Sequence, residues 1–167
     1  MKNWTLIFLV IVAFLAGFGL KYLMTKQKIE SMPETNKSNR QIDEDLIRKR
    51  EAFYDNAWHQ SDIEGLLACF KEDALIISPR NDVASGKDEI RKLFSDFLAG
   101  DAKSTKHTSR ISRINFITDD VAIVDGDAFI EGSENLSTSD MHHRFSDILV
   151  RYEKDWFIAQ IRAYATK

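Results

Sequence analysis

In the stretch VAIVDGDAFIEG, Asp125 and Asp127 are two carboxylates with the type and spacing for proton transfer. On a β-strand, residues i and i+2 share a face, so the two acids would stand side by side. Inside an apolar recess they would repel each other and one pKa would rise, which suits general acid–base work. Arg144 shares a strand face with Ser146, Ile148 and Val150, from which it would pair with either aspartate or bind an anionic substrate. The residues allow a second reading. Ala122, Val124, Gly126, Ala128 and Ile130 form a wholly apolar alternate face, which pattern alone assigns to the core. The aspartates would then lie on a solvated or interface face, and Arg144 in a surface salt bridge.

Tyr54 offers a phenolic donor and Trp58, four residues on, an apolar wall; alternatively Tyr54 is a helix residue with its hydroxyl at a pocket rim. His142 and His143 are adjacent, so on a strand they point to opposite faces and cannot ligate one metal together. His59 and His107 are isolated, and no HExxH, CxxC or carboxylate cluster has metal spacing, so no metal is expected. The single cysteine, Cys69, reads as a small buried hydrophobe. Neither a phosphate-binding glycine loop nor a GxGxxG fingerprint occurs, so no cofactor is expected and any redox chemistry would not use a Rossmann-type nicotinamide site.

The elements that must position these groups follow from periodicity. A first helix is predicted from about Arg40 to His59, with Ile42, Leu46, Phe53 and Ala57 as its stripe and Ile47, Tyr54 and Trp58 widening it. Ser61-Asp62-Ile63-Glu64 has the form of a capping box and opens a second helix with Leu66, Leu67 and Phe70 on its apolar face. Ala74–Ile77 makes a short strand stopped by Pro79. A loop leads to a third helix that opens at Gly86-Lys87-Asp88 and buries Ile90, Phe94, Phe97 and Leu98. Strands follow at about 106–117, 120–131, 142–152 and 156–165, joined by turns short enough to require antiparallel neighbours. Helices first and a meander last is an α+β arrangement.

With 44% hydrophobic and 29% charged residues, the 167-residue chain fits one globular domain plus an appendage. The appendage is Trp4–Leu20, an uncharged run that Tyr22, Leu23 and Met24 extend. With no convincing cleavage site, residues 1–24 read as an uncleaved single-pass anchor rather than a signal peptide, the domain being placed extracytoplasmically. Residues 25–40 form a polar tether and 41–167 the folded domain. Residues 1–40 hold six Lys/Arg against two acids (+4), and 41–167 hold seventeen against twenty-four (−7). An acidic domain argues against nucleic acid as partner.

In AWHQSDIEGLLACFKEDALIISP, SGKDEIRKLF and RYEKDWFIAQIRAY, the chain resembles the SnoaL-like branch of the nuclear transport factor 2-like superfamily, nearest the SgcJ/EcaC group of poorly characterised, provisionally assigned oxidoreductases. The resemblance covers roughly residues 41–167. It implies a cone-shaped cup of three helices packed on a strongly curved antiparallel sheet, one deep pocket, and homodimers through the sheet. It turns Ile123, Asp125, Asp127 and Phe129 toward the pocket, with Ser78, Ser146, Ile148, Ile161 and Ala163 as further lining. Tyr54 resembles the oxyanion-donating tyrosine of ketosteroid isomerase, but the positions of that enzyme's two acids correspond to Ser78 and Ile148, so steroid isomerase chemistry is not implied.

The expectation is a membrane-tethered domain that binds a small, partly apolar molecule. Its catalytic candidates are Asp125, Asp127, Arg144 and Tyr54. The alternatives are a cofactor-independent acid–base enzyme (isomerase, dehydratase, cyclase or hydrolase) and a dimerisation module without a ligand.

Overall fold

A computed structural model of the chain describes residues 34–166. The expected anchor at residues 4–24 lies outside the described residues, among which no helix is long and apolar enough to cross a membrane. The elements in order are α1 (Glu34–His59), α2 (Ile63–Ala68), β1 (Phe70–Ile77), β2 (Val83–Ser85), α3 (Gly86–Ala99), β3 (Lys106–Phe116), β4 (Val121–Glu131), α4 (Thr138–Met141), β5 (His142–Tyr152) and β6 (Asp155–Ala165).

Helix α1 begins at Glu34 rather than near Arg40, since no Gly or Pro interrupts the chain after Pro33. Its inward stripe is also rotated from the expected one. Ile47, Tyr54, Ala57 and Trp58 are buried, whereas Ile42 and Phe53 are exposed and Asp43 and Glu51 are buried in their place. Asp43 tolerates burial because Arg151 Nη2 lies 2.5 Å from one oxygen and Trp156 Nε1 donates to the other at 3.2 Å. The cap of α2 is Asp62, not Ser61: its carboxylate accepts the Gly65 N–H at 2.9 Å, while Ser61 takes a left-handed φ of 53° in the turn before it.

The six strands form one sheet in the order β2-β1-β6-β5-β4-β3. The last four strands pair antiparallel in chain order, as their short turns require. The expectation of a wholly antiparallel sheet is corrected, because β1 pairs parallel with β6. No turn constrains that pair: helices α3 and α4 and four strands separate the two in sequence, and the final hairpin delivers β6 beside β1. The core lies between the helices and one sheet face, where Ala122, Val124, Ala128 and Ile130 of β4 meet Phe145 and Leu149 of β5 and Trp156 and Ile158 of β6. Apolar alternation thus decides which face of β4 is inside.

Candidate functional site

A cavity of about 90 Å³ opens between the helices and the concave face of the sheet. Helix α1 contributes Tyr54 and Trp58, and α3 contributes Phe94 and Phe97. From the sheet come Ile76, His107, Ile130, His143, Ile161 and Ala163, and Ser78, Pro79, Arg80, Asp82 and Asp140 lie at its loop-bordered side. A second lobe of about 40 Å³ shares Tyr54, His107, His143 and Ile161 with the first and adds Glu51, Ser109 and Asp147.

The aromatic wall is held by packing and by one buried hydrogen bond. Trp58 Nε1 donates to Thr105 Oγ1 at 3.0 Å, and that hydroxyl donates to the Ala102 carbonyl at 2.7 Å. The indole is tilted against Tyr54 at 6.2 Å between centroids and packs edge-on to Phe94 at 6.0 Å and Phe97 at 5.8 Å. The β1–β2 loop borders the cavity through Arg80. Its guanidinium lies 5.3 Å from the Phe97 ring centroid and within 3.6 Å of both Asp82 and Asp140.

The polar centre is a histidine–aspartate pair. His107 Nδ1 lies 2.6 Å from Asp55 Oδ1, and the second Asp55 oxygen accepts the Ser109 N–H at 2.9 Å. Helix α1 places Asp55 directly after Tyr54, and strand β3 brings His107 and Ser109, two apart, onto the same carboxylate. A carboxylate facing Nδ1 fixes the proton there and leaves Nε2 as an acceptor; among the described residues Nε2 makes no hydrogen bond. The ring is clamped between Trp58 (4.9 Å) and Tyr54 (5.3 Å). Burial, and then the neighbouring Asp147, push the Tyr54 phenol well above its usual pKa, so it remains an O–H donor. His143 Nδ1 faces the Asp140 carbonyl at 3.2 Å, and burial followed by the nearby His107 lowers its pKa, favouring a neutral ring.

Two further acids enter the inner lobe. Glu51 and Asp147 are 4% and 3% exposed, and neither makes a hydrogen bond or ion pair with another described residue. Burial, then repulsion from Asp55, raises the Glu51 pKa to about 8. Burial, then Glu51 and Asp125, raises that of Asp147.

Of the expected pocket residues, Tyr54, Trp58, Ser78, Ile161 and Ala163 line the cavity. The Ser78 hydroxyl is engaged by its own loop, accepting from Arg80 N–H and Asp82 N–H and donating to the Asp82 carboxylate. The expectation that Asp125, Asp127, Phe129, Arg144, Ser146 and Ile148 face the cavity is corrected: they occupy the opposite face of β4 and β5, because the alternate residues carry the core. There Asp125 is held below the usual carboxylate range by the Ser146 hydroxyl at 2.7 Å, aided by Arg113 at 2.9 Å. Asp127 pairs with His142 Nε2 at 3.0 Å, and neither acid hydrogen-bonds Arg144, which acts on Asp125 only through its charge. Burial raises the Cys69 thiol to about 11, too high for a nucleophile, and it sits against the Gly65 carbonyl. Among the described residues no three metal-ligating side chains converge.

Sequence reasoning passed over Glu51, Asp55 and Asp147, and weighed His107 and His143 only as metal ligands. The readable signal lay in β5, where Asp147 interrupts the apolar alternation Phe145-x-Asp147-x-Leu149, and in α1, where Glu51 sits between Ile47 and Tyr54 at helical spacing.

The family model for the SnoaL-like domain matches residues 50–163. No curated protein matches the sequence. Among solved structures, a domain of unknown function with a cystatin-like fold from Nostoc punctiforme superposes with a TM-score of 0.67 at 19% identity, covering 75% of this chain and 78% of that one. A provisionally assigned scytalone dehydratase from Novosphingobium aromaticivorans gives 0.67 at 18% identity, covering 78% and 89%. An NTF-2 like protein of unknown function from Shewanella oneidensis gives 0.62 at 16% identity, covering 72% and 97%. At these identities the superpositions speak for the fold alone.

Proposed function

The chain belongs to the SnoaL-like domain family, and from that premise we propose that it binds a small, largely apolar molecule in the Trp58–His107 cavity and moves a proton on it without a cofactor. The observation that carries this reading is the Asp55–His107 pair in the cavity wall. Asp55 sets the tautomer, His107 Nε2 acts as base, and the Tyr54 hydroxyl donates to a carbonyl or hydroxyl oxygen as charge develops there. Trp58, Phe94 and Phe97 hold an apolar ring and exclude water, which strengthens both polar contacts. Removing a proton beside a carbonyl leads to double-bond migration, or to loss of water where a hydroxyl lies one carbon further. The dehydratase assignment of the Novosphingobium neighbour agrees with the second outcome.

Small ring ketones incubated with the protein in D2O and followed by NMR test this. Wild type exchanges the carbon-bound proton next to the carbonyl, and His107→Gln, shown folded by circular dichroism, does not. Saturable binding without exchange leaves a ligand-binding module as the function, a reading favoured by the mainly aromatic wall.

The same proposal includes an anchor at residues 4–24, supported by its uncharged run, and a homodimer through the outer sheet face. Retention in membranes after an alkaline wash tests the first, and sedimentation at micromolar concentration tests the second.

A further inference from the structure

The inner lobe contains chemistry that the His107 site does not use. Glu51 from α1 and Asp147 from β5 are almost fully buried, Glu51 lies close enough to raise the Asp147 pKa, and Glu51 Oε1 and Asp147 Oδ1 have no hydrogen-bond partner. A buried acceptor left without a partner destabilises a fold by about 1–3 kcal/mol, and a charged one by more. Two such groups at one cavity call for a ligand that answers both.

We propose that Glu51 and Asp147 form a subsite for a protonated amine, so that the molecule bound here carries an ammonium group on an apolar ring. The proposal rests on the cavity reading given above and specifies its ligand. A neutral hydroxyl satisfies hydrogen bonds while the pair keeps its protons, but leaves the repulsion in place once both carboxyls ionise. An ammonium supplies three donors and removes that repulsion, relieving both groups together. The geometry divides a ligand in the same way. The larger lobe of about 90 Å³ has the aromatic wall of Trp58, Phe94 and Phe97, and the smaller lobe of about 40 Å³ has the acids. Together they approach the roughly 150 Å³ of an apolar cavity that admits benzene.

The charged and titratable groups packed about the pair are predominantly acidic or neutral. On α1 these are Arg50, Tyr54 and Asp55; Cys69 follows α2; His107 and His143 come from β3 and β5; and Asp125 lies on β4. Arg50 is turned away onto Asp155 at 2.6 Å. Protons held by the pair must leave when an ammonium binds, so affinity rises with pH toward about 8, the Glu51 value. It falls only where the amine itself deprotonates, near about 10 for an alkyl ammonium.

The test uses the full-length chain in detergent and three probes of similar shape: benzylamine, benzyl alcohol and toluene. Calorimetry at pH 8 is expected to give benzylamine at least tenfold tighter binding than benzyl alcohol, with proton release on comparing two buffers at pH 7. Glu51→Gln and Asp147→Asn, made singly, each reduce that preference below about threefold. Equal binding of amine and alcohol by wild type overturns the proposal, whatever the variants do. So does a preference for the alcohol, binding of none of the three probes, or an amine preference that survives both substitutions. A wild type that exchanges protons in D2O but shows no amine preference overturns this inference and leaves His107 as base. Loss of exchange in His107→Gln with the amine preference retained confirms that the two sites act separately.

Discussion

The Phe145 ring fills the space where a side chain at Gly126 would begin: a Cβ there would lie 2.5 Å from Phe145 Cζ and 2.5 Å from the Arg110 carbonyl oxygen. Ring and glycine face each other in register on adjacent strands β5 and β4, and the ring borders the inner lobe. The missing side chain on one strand makes room for a large one on the next.

Gly126→Ala should therefore destabilise the domain by about 1–3 kcal/mol, because backbone on one side and a packed ring on the other must both shift. Urea unfolding measures the loss. Phe145→Leu in the same chain should recover part of it, since the two substitutions act on one contact.

Asp55 accepts from His107, from the Ser109 N–H and from the Ser109 hydroxyl. Asp55→Ala removes all three bonds and should lower stability by about 2–4 kcal/mol, at roughly 1 kcal/mol for each bond. Asp55→Asn keeps the shape and should stay within about 2 kcal/mol of wild type, while losing proton exchange from ring ketones by a hundredfold or more. A variant equally folded and equally active would remove Asp55 from the site.

The raised Glu51 pKa predicts a pH dependence of stability with a definite sign. Unfolded, the carboxyl ionises near its ordinary 4.5; folded, it keeps its proton to about 8. Between these values the native state binds more protons, so stability falls as pH rises through the window and levels off above it. Asp147, raised in the same direction, adds to the fall. Thermal melts from pH 4 to 9 should show this decline in wild type and a flatter profile in Glu51→Gln.

Arg151 holds Asp43 Oδ2 at 2.5 Å and the Asp119 carbonyl at 2.9 Å, and lies 5.0 Å from the centroid of the Trp156 ring. Arg151→Ala leaves the buried Asp43 carboxylate with only the indole N–H and should cost about 3–5 kcal/mol. In a double-mutant cycle, adding Asp43→Asn should return part of that loss, as the stranded charge is gone.

The strand boundaries of β3 to β6 were legible to within a residue because turn chemistry and period-two alternation agree there. On β4 the alternation also named the inner face correctly, whereas the resemblance turned Asp125 and Asp127 inward. A family likeness fixes the strand, but a one-residue change of register reverses every side chain. The site itself was poorly legible. Asp55 and His107 are 52 positions apart and meet only because α1 crosses the inner face at β3. Glu51 and Asp147 break the apolar pattern of their own elements, and a polar residue in such a stripe reads as an ordinary fault until its surroundings are known. The parallel β1–β6 pair was hidden for the same reason: nothing local to either strand announces it.

That pairing orders events during synthesis. β6 is the last of the described strands to be made, yet it lies between β1 and β5 and, among the described strands, it alone joins the β1–β2 hairpin to the other three. Until β6 has left the ribosome, β1 presents an open edge and the helices have only part of a sheet to cover. A nascent chain in that condition is a substrate for chaperones that shield strand edges, and slow synthesis of the last strands would prolong the exposure.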